Sequence, residues 1–360
     1  MTTNNLKLSL PQLGWNSDFE MHFMSYASRG YKVGRVVSEQ KQTYRLLTEG
    51  GEVLAQVSGK MRFQATARED FPAIGDWVLI SPHEGGERAS IHGILPRQSK
   101  FARKSAGTET KEQIVAANID TVFLVNALNY DFNVRRIERY LTLAWESGAR
   151  PVIVLSKADL CTEVAERLVE VEEIALGVPV HVISSLTGEG LDQLLTYLQV
   201  GKTVAMLGSS GTGKSTLLNY LYGQDVQKVQ AVRQGDDRGR HTTTARELVV
   251  LPQGGLIIDT PGMRELQLWG TESGLQDSFG DVEDLARQCR FSNCQHEQEP
   301  ACAVQSALQA GLMAQARFNS YLKLKKELAY LSRKVNQTEA LAEKAKWKKI
   351  YQMQKVTKKW

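Results

Sequence analysis

The 360-residue sequence lacks any apolar run long enough to cross a membrane, since such a helix needs about 18 or more consecutive apolar residues. Its longest apolar stretches, 121–128 and 151–155, have the length of strands. Met1–Leu10 is mainly polar and lacks the apolar core of a signal peptide. Internal repeats are also lacking. These absences argue against a membrane protein, and we expect a cytoplasmic protein with no membrane partner.

Charge is unevenly distributed along the chain. The net charge is +4, but Gly311–Trp360 carries 13 Lys and Arg against 3 Glu, a net charge of +10, which leaves the rest near −6. A basic segment on a slightly acidic body suggests a polyanionic partner. A solvated helical face would have the same composition, so charge alone leaves both interpretations open.

Short strands dominate the part of the chain that follows an N-terminal extension, residues 1–30. Apolar-rich runs alternate with Gly-rich breaks, as in a small β-barrel. The predicted strands are Lys32–Val37, Thr43–Leu47, Glu52–Val57 and Asp76–Ile80. We therefore predict an OB-fold barrel over residues 31–104. Such barrels often bind oligonucleotides, but a fold alone does not establish this function.

Near Ala116 the pattern changes to near-continuous apolar strands separated by helices, which is typical of a mostly parallel sheet covered on both faces. The predicted strands are 121–126, 151–155, 180–184, 203–207, 247–251 and 256–259, and the predicted helices include 134–147, 164–174 and 215–222. We predict a multidomain α/β protein in which this domain spans 105–275. A helical, metal-binding domain with a basic C-terminal helix would span 276–360.

A phosphate-binding P-loop follows the predicted strand 203–207 and precedes an apolar-periodic helix. Its glycines let the backbone wrap closely, so that N–H groups and the helix N-terminus face phosphate oxygens. Lys214 is expected to reach the β- and γ-phosphates, and the Ser215 hydroxyl to bind Mg²⁺. The predicted nucleotide-binding residues here are Gly208, Ser209, Ser210, Gly211, Thr212, Gly213, Lys214, Ser215 and Thr216.

A sensor for the γ-phosphate is predicted at Asp259–Gly262, directly after a strand. Asp259 can hold Mg²⁺ through a water, while the Gly262 N–H can bond a γ-phosphate oxygen. In the Gly239–Thr244 segment, Thr242, Thr243 or Thr244 could close over the metal, and Thr243 is preferred. The expected Mg²⁺ ligands are therefore Ser215, Thr243 and Asp259.

The segment predicted to recognise the base is Ser156, Lys157, Ala158 and Asp159. An Asp here can accept hydrogen bonds from guanine N1–H and N2–H₂, which adenine does not offer. Ser156 stands where Asn or sometimes Thr is usual, and its hydroxyl can still brace the P-loop. Ser184 and Ser185 follow another strand and could contact the guanine O6. An ordinary GTPase has its base-recognition segment well after the P-loop, so this order predicts a circularly permuted GTPase domain binding GTP and GDP.

Three of the four cysteines cluster with one histidine, as Cys289, Cys294, His296 and Cys302. In a cytosolic protein such clustering indicates a metal before a disulfide. Three thiolates and an imidazole form the ligand set of a closed tetrahedral zinc site. We predict one structural Zn²⁺ per chain, which stabilises a domain too small to bury enough core alone.

Taken together, these motifs resemble the bacterial small-subunit-dependent GTPases called RsgA or YjeQ. The resemblance also includes Asp131–Tyr140, Thr187–Gly190 and Gly239–Thr243. It implies an OB barrel, a permuted GTPase domain and a zinc domain, acting late in small ribosomal subunit maturation with subunit-stimulated GTP hydrolysis. The implied partners are the subunit and its rRNA, with no DNA, and the implied state is a monomer. Ser156 and the longer, Trp15-containing N-terminus indicate a divergent branch or paralogue.

The group that activates water is not evident, because Met263 follows the sensor glycine where many GTPases place a Gln. His241 is the candidate, since imidazole can orient or deprotonate water near neutral pH. A histidine bonded within its own loop is the alternative. Two other functions remain open: an RNA-binding scaffold with a structural, non-hydrolysed nucleotide, and a P-loop ATPase or small-molecule kinase, which Asp159 and the sensor motif disfavour.

Overall fold

A computed structural model describes residues 8–40, 42–104, 112–223, 247–259, 273–297 and 299–333. Its N-terminal barrel closes in the order β1-β2-β3-β5-β4. All pairs are antiparallel except β3 and β5, and this arrangement confirms the OB-type prediction. A short helix, α2 (Gly59–Gln64), follows β3. The strands are β1 (Lys32–Gln40), β2 (Thr43–Thr48), β3 (Gly51–Val57), β4 (Trp77–Pro82) and β5 (Arg88–Ile94).

The N-terminal segment packs against this barrel. A 3₁₀ turn (Pro11–Leu13) leads into α1 (Ser17–Ala27), whose first N–H groups donate to the side chain of Asn16. The Trp15 ring lies 4.8 Å from that of Trp77 and 5.7 Å from that of Phe19, centroid to centroid. Because Phe19 and Trp77 are buried, residues 8–27 add a small apolar core to one side of the barrel.

The second sheet has six strands in the order β10-β9-β8-β11-β13-β12. Five strands are parallel, and β12 pairs antiparallel at the edge. This confirms the mostly parallel prediction, and the central strands are buried throughout, as expected for a sheet covered on both faces. The strands are β8 (Thr121–Ala127), β9 (Arg150–Ser156), β10 (Val180–Val182), β11 (Thr203–Leu207), β12 (Glu247–Val250) and β13 (Leu256–Asp259).

The strand order explains how a permuted chain builds this domain. Strands β8 to β10 come first in sequence, yet β8 pairs with β11, the strand that precedes the P-loop. A two-stranded hairpin, β6 (Lys100–Lys104) and β7 (Glu112–Ala117), connects the barrel to the sheet. The helices of the domain are α3 (Val134–Ser147), α4 (Val164–Glu172), α5 (Leu191–Leu195) and α6 (Lys214–Tyr222), with a 3₁₀ turn at Ala158–Leu160.

Four further helices surround the Cys/His cluster and together form what we call the C-terminal unit. They are α7 (Ser273–Ser278), α8 (Gly280–Arg287), α9 (Ala303–Gln309) and α10 (315–333). The apolar stripe of α10 packs inward, as its helical spacing predicts, through Tyr321, Leu324, Leu328 and Leu331. Most of the basic tail lies outside the described residues. Among the helices described, none has both the length and the apolar character needed to cross a bilayer.

A buried arginine joins the barrel to the GTPase domain. Arg35 on β1 is 1 % exposed and donates to the Asn118 carbonyl at 3.0 Å and to Thr203 Oγ1 at 2.9 Å. Burial lowers the pKa of Arg35 to about 10, which leaves it charged at neutral pH. Nearby, Arg45 of β2 pairs with Glu247 of β12 at 2.9 Å. The outer face of the barrel therefore rests on the β12 edge of the sheet.

Candidate nucleotide site and metal centre

The P-loop lies between β11, which is fully buried, and the first turn of α6. A side chain at Gly208 would bring a Cβ within 2.4 Å of the Val125 carbonyl oxygen, so only glycine allows the loop to leave the sheet here. Gly213 precedes α6 with φ 87°, again a backbone conformation that favours glycine. These two glycines set the path of the loop, and they leave Ser215 and Thr216 exposed at the helix N-terminus.

The Lys214 ammonium group folds back over this loop. It donates to the carbonyl oxygens of Gly208 at 2.7 Å and Ser209 at 2.6 Å. This position places a positive charge beside the backbone N–H groups that open α6. The combination of a lysine and a helix N-terminus suits a phosphate group.

Ser156 links the base-recognition segment to the P-loop. It ends β9, is 2 % exposed, and its hydroxyl donates to the Thr212 carbonyl at 2.7 Å, with the Asn126 carbonyl at 3.3 Å. The two segments are separated by more than fifty residues in sequence but lie in contact, because β8 stands between β9 and β11 in the sheet. The Ser156 hydroxyl therefore braces the second half of the phosphate-binding loop.

Asp159 contacts the third segment predicted to bind the nucleotide, which contains Ser184 and Ser185. Its carboxylate accepts a 2.6 Å hydrogen bond from the Ser184 hydroxyl, which in turn accepts from the Thr187 N–H at 3.2 Å. Lys157 adopts φ 60°, and the Ala158 N–H donates to Ile183. Ser184 is buried, Ser185 is half-buried and Asp159 is exposed at the carboxyl ends of β9 and β10. The structure thus brings Asp159 to the same edge of the sheet as the P-loop, where ligands of parallel sheets bind.

A third contact to the P-loop comes from Asp131 and Arg136, for which the sequence motif indicated no role. The Arg136 guanidinium holds the Asp131 carboxylate with both nitrogens, at 2.6 and 2.9 Å, and donates to Ser209 Oγ at 2.8 Å. Ser209 Oγ donates to Asp131 at 2.9 Å. The Arg136 guanidinium, followed by the Ser209 hydroxyl, lowers the pKa of Asp131 to about 2. Asp131 and Arg136 lie five residues apart, but the sequence did not show that Ser209 lies beside them.

Several predicted residues lie outside the described part of the chain. These are His241, Thr242, Thr243 and Thr244 of the predicted switch segment, and Gly262 and Met263 of the sensor. Asp259 is the last residue of β13, which pairs in parallel with β11, the strand leading to the P-loop.

The Cys/His cluster brings four ligand atoms together, all within 4.8 Å of one another. Cys289 Sγ and Cys302 Sγ are 3.8 Å apart, and each lies 3.5 Å from His296 Nδ1. At Zn–S and Zn–N bond lengths of about 2.3 and 2.0 Å, a regular tetrahedron has S–S edges of about 3.8 Å and S–N edges of about 3.5 Å. A disulfide would need sulfurs at about 2.05 Å. The donor set and its spacing therefore fit a tetrahedral metal ion.

The protonation states suit a metal as well. Burial, followed by the nearby Lys325 ammonium, lowers the pKa of His296 and favours the neutral imidazole that binds metals. Burial acts to raise the pKa of Cys289, but hydrogen bonds from the N–H groups of Val304 and Ala303 outweigh it and place the pKa below its usual value. These N–H groups open α9, whose N-cap is Cys302. The helix N-terminus therefore favours the Cys289 thiolate. Burial raises the pKa of Cys294 to about 11, and a bound metal ion would deprotonate that thiol.

Comparison with known proteins adds to this geometry. Residues 94–269 match the family model described as RsgA GTPase. The chain is 48 % identical over 325 residues to the small ribosomal subunit biogenesis GTPase RsgA 1 of Oceanobacillus iheyensis, covering 90 % of this chain and 92 % of that protein.

Two solved structures share the fold. YjeQ from Thermotoga maritima superposes with a TM-score of 0.62 at 32 % identity, over 83 % of this chain and 99 % of that one. YloQ, described as a circularly permuted GTPase, gives a TM-score of 0.60 at 24 % identity, over 84 % and 96 %. The permuted fold expected from the motif order is confirmed.

Proposed function

Because this chain belongs to the RsgA GTPase family, we propose that it hydrolyses GTP during late maturation of the small ribosomal subunit, and that the subunit stimulates hydrolysis. The observation that carries the proposal is the convergence of three separated segments at one sheet edge. Ser156 contacts the P-loop at Thr212, and Asp159, three residues further on, accepts a hydrogen bond from Ser184 of the third segment. A base held by Asp159 would thus lie next to a triphosphate held by the P-loop.

The residue roles follow from the chemistry of phosphate transfer. Lys214 and the N–H groups of the P-loop bind the β- and γ-phosphates and stabilise the charge that develops on them. Ser215, Thr243 and Asp259 would hold Mg²⁺, which would neutralise charge on the β- and γ-oxygens. The Gly262 N–H registers the γ-phosphate, and His241 orients the attacking water.

Guanine selection rests on Asp159, with Lys157 along the base plane and Ser184, Ser185 and Ala158 around it. The Ser184 hydroxyl donates to one Asp159 oxygen at 2.6 Å, which orients the carboxylate. A carboxylate so oriented accepts from guanine N1–H and N2–H₂ and leaves adenine without a partner.

We propose that Cys289, Cys294, His296 and Cys302 hold one structural Zn²⁺. The fit of the Cys289–Cys302 and Cys302–His296 distances to a tetrahedron supports this assignment. Four protein ligands leave no open position for catalysis, so the ion would tie together the short helices of the C-terminal unit.

The partner is the small ribosomal subunit, contacted through rRNA by the barrel and the basic tail, and the protein acts as a cytoplasmic monomer. The net charge of +10 over Gly311–Trp360 suits a phosphate backbone. The nucleotide state would set the conformation of 224–244 and hence affinity for the subunit. Each phosphate contact should make binding depend on salt.

The test is GTP turnover across a titration of purified small subunits at two salt concentrations. We expect turnover to rise and saturate with subunits, with an apparent affinity that weakens at the higher salt. Turnover that does not respond to subunits would favour the scaffold with a structural nucleotide. Competition by ATP as strong as that by GTP would overturn the assignment of Asp159.

A further inference from the structure

Two different side chains hold the two halves of the phosphate-binding loop. Ser156 braces the second half at the Thr212 carbonyl, next to the first turn of α6. The first half is held at Ser209, whose hydroxyl accepts from Arg136 and donates to Asp131 in a closed ring of hydrogen bonds. Arg136 and Asp131 form a bidentate salt bridge, in which two guanidinium nitrogens donate to the two carboxylate oxygens. This geometry restrains the orientation of both side chains.

Arg136 stands in the first turn of α3, and the next residues of that helix hold the C-terminal unit. Glu138 is fully buried and accepts from Arg317 at 3.0 Å, while Arg317 also binds Asp281 at 2.6 Å. Arg139 forms a two-nitrogen pair with Glu327 of α10, at 2.6 and 2.9 Å. The helix that holds Ser209 is therefore itself fixed by the C-terminal unit.

The packing of α7 on α3 is equally close. A Cβ at Gly274 would lie 2.6 Å from the Thr142 carbonyl oxygen and 2.8 Å from the Glu146 nitrogen, so the two helix backbones touch at this point. Since α3 contacts the P-loop at one end and α7 and α10 along its length, a shift of the C-terminal unit relative to the sheet would move Arg136.

We propose that Arg136, held by Asp131, is a positioning residue for GTP hydrolysis that acts through Ser209, and that α3 makes this positioning depend on how the C-terminal unit is docked. The inference rests on the proposed function. Arg136 would be a second brace, on the half of the P-loop that Ser156 does not reach. Through α3, contacts of the subunit with the C-terminal unit would then change the position of the P-loop around the phosphates. A small displacement of reacting groups costs large factors in rate, so the loss of this brace should lower turnover and triphosphate affinity more than GDP affinity.

The experiment uses the full-length protein with Arg136→Ala, Arg136→Lys, Ser209→Ala and the double variant Arg136→Ala/Ser209→Ala. Affinities are measured for GDP and for a non-hydrolysable GTP analogue, together with turnover at saturating GTP. Arg136→Ala should lower turnover and analogue affinity by about tenfold, and GDP affinity by less than about threefold, because Ser156 still braces the α6 side. Lys cannot reproduce the two-nitrogen pair and should restore little.

Non-additivity is the decisive result. If Arg136 acts through Ser209, the single variants should lose similar amounts and the double variant no more than either one. Additive losses, or an equal loss of GDP and analogue affinity, would overturn the positioning role. Arg287→Ala removes an exposed ion pair with Asp284 and should leave basal turnover unchanged.

The dependence on the C-terminal unit has its own variant. Arg139→Ala breaks the pair with Glu327 without touching the loop, and should lower subunit-stimulated turnover by a few-fold while GDP affinity is kept. If the subunit stimulates the turnover of Arg139→Ala as strongly as that of the wild type, the proposed coupling through α3 is refuted. If the turnover of the wild-type protein does not rise with added subunits, the proposed function is refuted. The affinities of Arg136→Ala for the analogue and for GDP would still decide whether Arg136 positions the loop.

Discussion

The metal cluster and the nucleotide site are assembled in opposite ways. All four metal ligands lie within Cys289–Cys302, and a short loop and the start of α9 bring them together. The nucleotide site draws on segments around 131–136, 156–159, 184–187 and 208–216, which only the order β10-β9-β8-β11 brings to one edge. The first site depends on local chain geometry, whereas the second depends on the whole sheet.

This difference predicts different responses to damage. The sheet around the nucleotide site has a large apolar core on both faces, so removing one polar side chain should alter binding without unfolding the domain. The C-terminal unit consists of three short helices and the longer α10 around the cluster, so the metal should supply much of the stability of the short helices. Damage to the metal cluster should therefore affect stability more than damage to the nucleotide site.

The largest effect should come from Cys302→Ser. Zinc sites of this kind contribute on the order of 10 kcal/mol to folding, and the loss of a buried thiolate should release the metal. We expect a chain without stoichiometric zinc whose C-terminal unit is cleaved by protease, while the barrel and sheet resist. Metal content and limited proteolysis report both. Cys161→Ser, at the cysteine outside the cluster, should keep the zinc, and a Cys302→Ser protein that still bound one zinc would contradict the assignment.

His241→Ala comes next, because general acid–base groups contribute about 100-fold or more to rate. Subunit-stimulated turnover should fall by that order while GTP affinity is retained, since His241 is proposed to contact water rather than the nucleotide. Single-turnover hydrolysis with saturating subunits is the measurement. If turnover were unchanged, the histidine would have no role in activating water.

Asp159→Asn tests the base-recognition part of the distributed site. An amide cannot accept from both guanine donors, so GDP affinity should fall on the order of 100-fold, and discrimination against ADP should shrink. The fold should persist, because Asp159 is exposed at the sheet edge. Asp192→Asn, an exposed carboxylate on the adjacent helix α5, serves as the control and should bind GDP normally. If Asp159→Asn bound GDP as tightly as the wild type, Asp159 would not be the residue that binds guanine.

The same contrast explains what could be predicted from the sequence. Strand β11, helix α3 and strand β13 were predicted with the bounds they have in the structure, because their apolar periodicity and flanking turns are local signals. The Cys/His cluster could be recognised from spacing alone, and the structure brings its four side chains together. The contact of Arg136 with Ser209 was not predicted, since it joins residues 73 positions apart and depends on where α3 lies over the sheet.

Ser156→Ala should have a moderate effect. Removing the hydroxyl leaves the Thr212 carbonyl without its 2.7 Å donor in a buried place, and such a loss should weaken nucleotide binding by about tenfold. Ser156→Thr keeps the hydroxyl and is the matched control. Equal affinities of the Ala variant and the wild type for GDP would show that the loop does not need this brace.

The smallest effect is expected on thermal stability, from Asp131→Asn. It also distinguishes the two sites, because Asp131 and the zinc ligands should take up protons in different pH ranges. The folded pKa of about 2 for Asp131 lies below the ordinary 3.8, so the ionised carboxylate contributes stability that is present above about pH 4 and is lost as the pH falls towards 2. The Tm difference between wild type and Asp131→Asn should therefore be small, constant from pH 8 to about 4, and vanish below. Zinc should leave at higher pH, because protons compete for thiolates and imidazole. If the Tm difference disappeared at the pH at which zinc is released, its loss would be caused by the change in the C-terminal unit and not by protonation of Asp131.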